Sequence, residues 1–385
     1  MTELQRIRVG VIGAGFIGPA HVESIRRLGY VEVVAIAASD ESTARRAADR
    51  LSIPKAYGDY LELIRDPDVD VVDICSPNIY HYPAARAALE AGKPVMCEKP
   101  LAMTSAESAE LVALAARTGL PNAVTFNMRF YPLLHQARDL IARGDLGTIY
   151  SVHGGYWQDW LLFDTDYNWR VEAAAGGKLR AVGDIGSHWL DLAQFLTGRS
   201  VTRVFADLAT YVPVRQKPTA AIQAFASADV PREPVTMDTE DAATVLVRLG
   251  EIRGTMQVSQ VAAGRKNRPL IEVNGSRASL CWDGERPNEL WIGHRDRPNQ
   301  VLIKDPSLMT PSAAAIAQYP PGHDEGFADT HTAIQRAFFA YIRDGGSASG
   351  RAPDFPTFEA GHRENVIADC IIESASGAAW IDVPQ

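Results

Sequence analysis

Two stretches of the sequence carry side chains suited to chemistry. In the first, the apolar run Val95-Met96-Cys97 delivers Glu98 and Lys99 to a stop at Pro100. Proline fixes its own φ, lacks an N–H and pushes the preceding residue away from helix, so Lys99 is expected in an extended or turn conformation at a strand end. In the second, Asp184, His188 and Asp191 follow a glycine at spacings i, i+4 and i+7. On a helix these three share one face, beside a buried stripe of Ile185, Trp189, Leu192 and Phe195. Histidine has the ordinary pKa best suited to proton transfer near neutral pH, lysine can donate to an oxygen on which charge develops, and a carboxylate can orient a hydroxyl or the imidazole.

The elements that must position Lys99 read as alternating strands and helices. A β-branched strand over 7–12 runs into Gly13-Ala14-Gly15-Phe16-Ile17-Gly18, and a helix follows with Ile17, His21, Ile25 and Leu28 on one stripe and Gly29 as its stop. A second strand over 31–38 completes a β-α-β unit. In that context Gly13 allows the tight turn, Gly15 lets the backbone approach a pyrophosphate, and Gly18 permits close helix–strand packing. The N–H groups at the helix start, around Phe16 and Ile17, face the anion. The acidic residue expected at the end of the second strand is replaced by Ala38. An aspartate there would repel a 2′-phosphate, so its absence leans the site toward NADP. Ser39 suits either ribose or phosphate, and Arg45 or Arg46 reaches a phosphate unless both only line a solvated face. Asp40, two residues on, is the alternative that would serve NAD.

The alternation continues with a helix over 60–64, a strand over 69–75, the loop Ser76-Pro77-Asn78-Ile79-Tyr80-His81 and an alanine-rich helix ending at Gly92. A strand over 94–97 leads to Lys99. Thr104-Ser105-Ala106-Glu107 forms a capping box for a helix to Thr118, and a strand over 123–126 closes the series. Such alternation implies a doubly wound parallel sheet with ligands outside the carboxyl ends of its strands. Gly13 to Gly18, Ser76 to His81, Lys99 and Asn127 are therefore expected at one edge.

Beyond a helix ending near Gly144 the pattern changes. Strand-like runs over 150–157, 201–211, 242–249, 253–261, 270–273 and 279–282, joined by turns such as Leu249-Gly250-Glu251, indicate antiparallel pairing. A loop is expected over 310–322, helices over 327–343 and 358–374, and a last strand over 380–383. The division expected is 1–128 for nucleotide binding and 129–385 for substrate binding and oligomerisation. A sheet needs cover on each apolar face, so helices are expected on one side and a second subunit on the other, giving a homodimer or homotetramer.

Composition bounds the partners. The 385 residues carry 38 basic and 47 acidic side chains, a net charge of −9, with the arginines scattered, which argues against a nucleic-acid partner. Cys75, Cys97, Cys281 and Cys370 form no C-x-x-C pair, so neither zinc nor a disulfide framework is expected. No apolar run approaches membrane-spanning length and no signal-peptide pattern opens the chain, so a soluble cytoplasmic protein is expected.

The joint pattern resembles the Gfo/Idh/MocA family of NAD(P)-dependent oxidoreductases over nearly the whole chain. The resemblance rests on the strand–GxGxxG–helix start, Ser76-Pro77-Asn78 with His81, Glu98-Lys99-Pro100, Arg170 after Trp169, and Gly176-Gly177 leading to Asp184 and His188. It implies an α/β protein: an N-terminal Rossmann domain with a doubly wound parallel sheet, and a C-terminal α/β domain with a large, mostly antiparallel open sheet. It also implies sugar, sugar-derivative or cyclitol substrates, Lys99, Asp184 and His188 at the catalytic positions, Trp169 and Arg170 among the cofactor contacts, and a cis bond before Pro100. Oxidation of a secondary alcohol removes a hydroxyl proton as hydride leaves the same carbon, which gives His188 the role of general base and Lys99 that of stabilising the alkoxide. Arg129, Tyr156, Gln158, Asp166 and Asn168, with Trp157 and Trp160 interleaved, are the candidate sugar contacts. Two rival readings are an NAD-dependent glycosidase-type hydrolase without net redox change and a non-catalytic nucleotide-binding regulator.

Overall fold

A computed structural model describes residues 6–219 and 230–385. The chain forms two compact units, one of residues 1–127 with 331–365 and one of 128–330 with 366–385.

The first unit contains β1 (Ile7–Ile12), α1 (Ile17–Arg26), β2 (Val31–Ala37), α2 (Glu41–Leu51), β3 (Lys55–Tyr57), α3 (Tyr60–Arg65), β4 (Val71–Ile74), α4 (His81–Glu90), β5 (Val95–Cys97), α5 (Ser105–Thr118) and β6 (Asn122–Val124). Its six strands pair in the order β3-β2-β1-β4-β5-β6, all parallel. Val9, Val11, Val72 and Ile74 on the two central strands are fully buried, as strands covered on both faces require. Short polar side chains start the helices: Asp40 caps α2, Asp59 caps α3 and Thr104 caps α5. The capping box at Thr104 closes one residue early, because the Glu107 carboxylate accepts from the N–H of Met103.

The second unit begins with α6 (Pro132–Ala142) and β7 (Ile149–Trp157), then a short α7 (Ala173–Gly176), a π-helical turn over Val182–Gly186 and α8 (Ser187–Thr197). The strands β8 (Arg203–Ala209), β9 (Val214–Pro218), β10 (Arg232–Thr236), β11 (Ala242–Leu249), β12 (Ile252–Ser259), β13 (Arg268–Gly275), β14 (Ala278–Asp283), β15 (Glu289–His294) and β16 (Gln300–Ile303) follow. The chain closes with α9 (Pro311–Ile316), α10 (Phe327–Arg343), α11 (Phe358–Gly377) and β17 (Ile381–Asp382). Nine strands form one sheet in the order β16-β15-β14-β13-β7-β12-β11-β8-β17, antiparallel except for the parallel β7–β12 pair. Alternate residues such as Val245, Val247, Met256 and Val258 face a core shared with Leu133, Leu134, Trp189 and Leu192 of α6 and α8. Among the described residues no helix is long and apolar enough to cross a membrane.

Several expectations need correction. Both parts of the chain were expected to be continuous, but residues 331–365 return to the first unit, where Gln335 of α10 donates to Asp73 of β4 at 3.1 Å. The expected loop over 310–322 contains α9, begun by Pro311 in its first turn and held by the fully buried Ala313. β9 and β10 escape the strand pattern because each carries a proline, Pro218 or Pro234, and they pair only with each other.

Candidate active site

At the nucleotide edge of the first unit, glycine is required by what surrounds it. A Cβ on Gly18 would lie 2.1 Å from the Gly13 carbonyl oxygen, and one on Gly13, whose φ is +115°, would lie 2.4 Å from the Cys75 carbonyl oxygen. A Cβ on Gly15 would meet nothing within 4 Å. Gly13 and Gly18 thus close the strand–helix turn, while Gly15 leaves open space above it. Phe16 is exposed, Ile17 opens α1, and the buried Ser76 hydroxyl has no hydrogen-bond partner among the described residues. An open backbone cradle at a helix N-terminus with an orphan hydroxyl beside the β4 end fits a dinucleotide phosphate.

Beyond β2, Ala38 and Ser39 lead into the cap of α2. The Asp40 carboxylate accepts from the Thr43 N–H and the Ser42 hydroxyl on Oδ1, and from the Ser39 and Thr43 hydroxyls on Oδ2. These bonds hold its pKa below the ordinary carboxylate range and fill the roughly four acceptor positions of a carboxylate. The two arginines diverge: Arg45 pairs with Asp49 along α2, whereas Arg46 folds back to donate to the Ser42 and Thr43 hydroxyls at the helix start.

The lysine turn is braced from within. The Lys99–Pro100 bond is cis, as the family resemblance implied. Lys99 donates its N–H to Glu98 Oε2 at 3.2 Å, and Glu98 Oε1 meets His21 Nε2 at 3.1 Å. The other nitrogen of His21 lies 2.9 Å from Asp73 Oδ2, and the ring stands 5.0 Å from that of His331. Burial opposes a charge on His21, yet Asp73 outweighs it and carries the pKa well above the usual imidazole value. Burial raises the Glu98 pKa, but the His21 hydrogen bond and charge more than offset it and bring it down to about 2. His331 is pushed down to about 3 by burial and by the neighbouring His21 charge. His81 braces the same turn, its ring nitrogens at 2.6 Å from the Pro100 carbonyl and 2.9 Å from that of Ser76, and burial lowers its pKa. His81 therefore ties the Ser76 loop to the Lys99–Pro100 turn. Pro77 and Asn78 start the short 3₁₀ turn leading to it, and buried Asn127 follows β6.

In the second unit the helical register departs from the expected one. The π turn over Val182–Gly186 precedes α8 and changes the angular spacing between Asp184 and the residues beyond it. Asp184 Oδ2 accepts from Gln260 Nε2 at 2.8 Å and Oδ1 lies 3.5 Å from Arg170 Nε, while His188, nearly buried, has its ring 6.3 Å from that of Tyr156. Asp191 instead forms a bidentate pair with Arg129, which also lies over the Phe195 ring. Of the three residues expected on one face, Asp191 is thus engaged by Arg129, Asp184 by Gln260 and Arg170, and His188 stands beside Tyr156.

Other candidate contacts separate in the same way. Asn267 Oδ1 accepts from both the Tyr156 hydroxyl, at 2.6 Å, and Gln158 Nε2, at 2.8 Å; Gln158 Oε1 in turn accepts from the Trp160 indole. Burial holds the Tyr156 hydroxyl protonated far into the alkaline range. Arg170 stacks 4.3 Å from Trp169, and Asn168 accepts from the Arg170 N–H while its buried Nδ2 has no partner among the described residues. Asp166 accepts from the Phe163 N–H, burial raises its pKa, and it closes its own turn. Sequence reasoning missed Gln260 and Asn267. Their signal is positional: Ser259 of β12 and Arg268 of β13 both pair with Trp157 at the end of β7, so the residues just beyond them flank Gln158.

A parallel nucleotide-binding sheet with an open glycine cradle, in a chain whose second unit carries a large mixed sheet, has the architecture of a dinucleotide-dependent oxidoreductase. The model for the oxidoreductase family with an NAD-binding Rossmann fold matches residues 7–126, and that for the GFO/IDH/MocA C-terminal domain matches residues 134–281. The chain belongs to the Gfo/Idh/MocA family. It is 32% identical to the levoglucosan dehydrogenase of Pseudarthrobacter phenanthrenivorans over 99% of each chain. The apo form of a levoglucosan dehydrogenase superposes with a TM-score of 0.89 at 31% identity, covering 99% of both chains. An inositol dehydrogenase homolog from Azotobacter vinelandii, complexed with NADH and myo-inositol, superposes at 0.86 with 28% identity over 98% of both.

Proposed function

We propose that the protein catalyses reversible transfer of a hydride between a secondary alcohol of a cyclic sugar, sugar derivative or cyclitol and a nicotinamide dinucleotide. Asp184 beside Arg170 and Gln260, and His188 beside Tyr156, whose hydroxyl shares Asn267 with Gln158, carry this reading. A bound nicotinamide supplies the hydride acceptor. His188 takes the hydroxyl proton, Asp184 orients the imidazole or a neighbouring hydroxyl, and Lys99 is the family-position donor for developing alkoxide charge. Tyr156 and Gln158, both anchored on Asn267, offer polar atoms beside the Trp160 ring, a surface that suits a polyol with one apolar face. Relatives whose structures hold NADH with levoglucosan, L-sorbose or myo-inositol support the substrate class.

The same reading leans to NADP. Ala38 leaves no carboxylate at the strand end, Asp40 is saturated by its cap, and Arg46 points to that end of α2. The second subunit expected on the open sheet face remains part of the proposal as a homodimer or homotetramer. Levoglucosan, myo-inositol and common pyranoses assayed with NAD and NADP by absorbance test the proposal. Net nicotinamide reduction with at least one of them, lost in His188→Asn and Lys99→Ala by about 10²–10⁴ while dinucleotide binding persists, is the expected result. Turnover of a glycoside without net reduction would replace it by the hydrolase reading.

A further inference from the structure

Gln260 stands one residue past the end of β12 and is fully buried, yet no element of the nucleotide or sugar motifs includes it. Its Nε2 donates to Asp184 Oδ2 at 2.8 Å, and its Oε1, also buried, has no hydrogen-bond partner among the described residues. An ionised carboxylate only accepts, so the amide must present its NH2 group to Asp184 and leave its carbonyl oxygen behind. A buried amide satisfied on one side is a poor contribution to folding, and an apolar side chain of similar shape avoids that cost. The amide is therefore better explained by what it does to Asp184 than by what it does for the core.

The backbone around Gln260 is fixed by the segment that fixes the aspartate. The Gln260 N–H donates to the Asp241 carbonyl at 3.0 Å, and the fully buried Asp241 carboxylate binds the guanidinium groups of Arg180 and Arg215. The adjoining Glu240 carboxylate accepts the N–H groups of Arg180 and Val182, the two residues that flank the entry to the π turn, and the Asp184 N–H donates to the Arg180 carbonyl at 2.7 Å. Residues 240–241, just before β11, thus hold the backbone on both sides of the Gln260–Asp184 bond. Rotation of the Asp184 carboxylate is resisted at Oδ2, which leaves Oδ1 on the side of Arg170, where the side chain is about one-fifth exposed.

We infer that Gln260 is a positioning residue for the reaction: its amide locks the Asp184 carboxylate in one orientation toward substrate and His188. The inference rests on the proposed role of Asp184. Without the amide the restraint at Oδ2 is lost, the carboxylate gains rotational freedom about its remaining contacts, and the substrate hydroxyl or imidazole it orients loses its alignment.

Three variants test this in the full-length protein: Gln260→Leu, Gln260→Glu and Asp184→Asn, with the Asp184→Asn/Gln260→Leu double variant. Gln260→Leu is expected to keep or raise the melting temperature, to leave NADH affinity unchanged and to lower kcat/KM by about 10- to 100-fold, the range of a charge-assisted hydrogen bond. In Gln260→Glu two carboxyl groups at hydrogen-bond distance share a proton, so the acid limb of the kcat/KM profile moves to higher pH. Gln260→Leu should add little to the loss already caused by Asp184→Asn. Wild-type kcat/KM and pH profile in both Gln260 variants, with Asp184→Asn inactive, would overturn the positioning role alone. Full activity in Asp184→Asn would instead overturn the reading of Asp184 on which it rests.

Discussion

Replacing Gly15 or Gly18 with alanine separates cofactor binding from folding at two positions three residues apart. The added methyl at Gly18 would lie 2.1 Å from the Gly13 carbonyl oxygen, a backbone atom of a tight turn that cannot move aside without opening the β1–α1 junction. Overpacking of this kind costs about 1–3 kcal/mol, or roughly 2–10 °C in melting temperature for a unit of this size. At Gly15 the methyl meets nothing within 4 Å and the backbone is not left-handed, so folding stability should change by no more than about 0.5 kcal/mol. The same methyl projects into the space assigned to the pyrophosphate, and a tenfold or greater loss of NADH or NADPH affinity, about 1.4 kcal/mol, is expected. Differential scanning fluorimetry without cofactor, then with a saturating dinucleotide, reads both effects. Gly15→Ala should melt like the wild type alone and lose the rise in melting temperature that ligand gives. A Gly15→Ala protein that binds dinucleotide normally, or one destabilised as much as Gly18→Ala, would refute the assignment of the cradle.

The proposed lean to NADP is tested at Arg46, which donates to the Ser42 and Thr43 hydroxyls at the start of α2: Arg46→Ala should weaken NADPH several-fold and leave NADH unchanged by titration, with equal losses for both counting against it. The buried His21–His331 contact sets opposite pH limbs of stability. His331, lowered to about 3, stays neutral in the fold while the unfolded chain takes a proton near pH 6.5, so stability falls as pH drops below about 6.5, by up to roughly 1.4 kcal/mol per pH unit. His21, raised well above its usual value, contributes stability at pH below about 6.5 that is lost as pH rises through its folded pKa. Glu98, lowered to about 2, adds an acid-side loss between about pH 4.5 and 2. Chemical denaturation as a function of pH should therefore show an acid limb between pH 6.5 and 4.5 that His331→Phe flattens and an alkaline limb that His21→Gln flattens; unchanged limbs would refute the paired assignment.

The local sequence was enough to determine the features that depend on near neighbours. The glycine spacing after β1, the proline behind Lys99, the polar cap of α5 and the strand runs of the large sheet each follow from interactions within a few residues, and they made the fold class and the nucleotide edge legible. Tertiary structure decided the rest. The π turn changes the angle between Asp184 and the residues of α8, and Arg129, distant in sequence, engages Asp191, neither of which the i, i+4, i+7 spacing of a regular helix could reveal. The parallel pairing of β7 with β12, across about a hundred residues, brings Gln260 beside Gln158 and against Asp184, and the antiparallel β13 adds Asn267. The return of residues 331–365 to the first unit supplies His331 and Gln335 to His21 and Asp73. A lone polar residue at a strand end reads as surface until the register of its neighbours places a partner there. The Lys99 turn joins both levels: its conformation is written in Glu98-Lys99-Pro100, and its rigidity comes from His21 and His81, each reached through distant strands and helices.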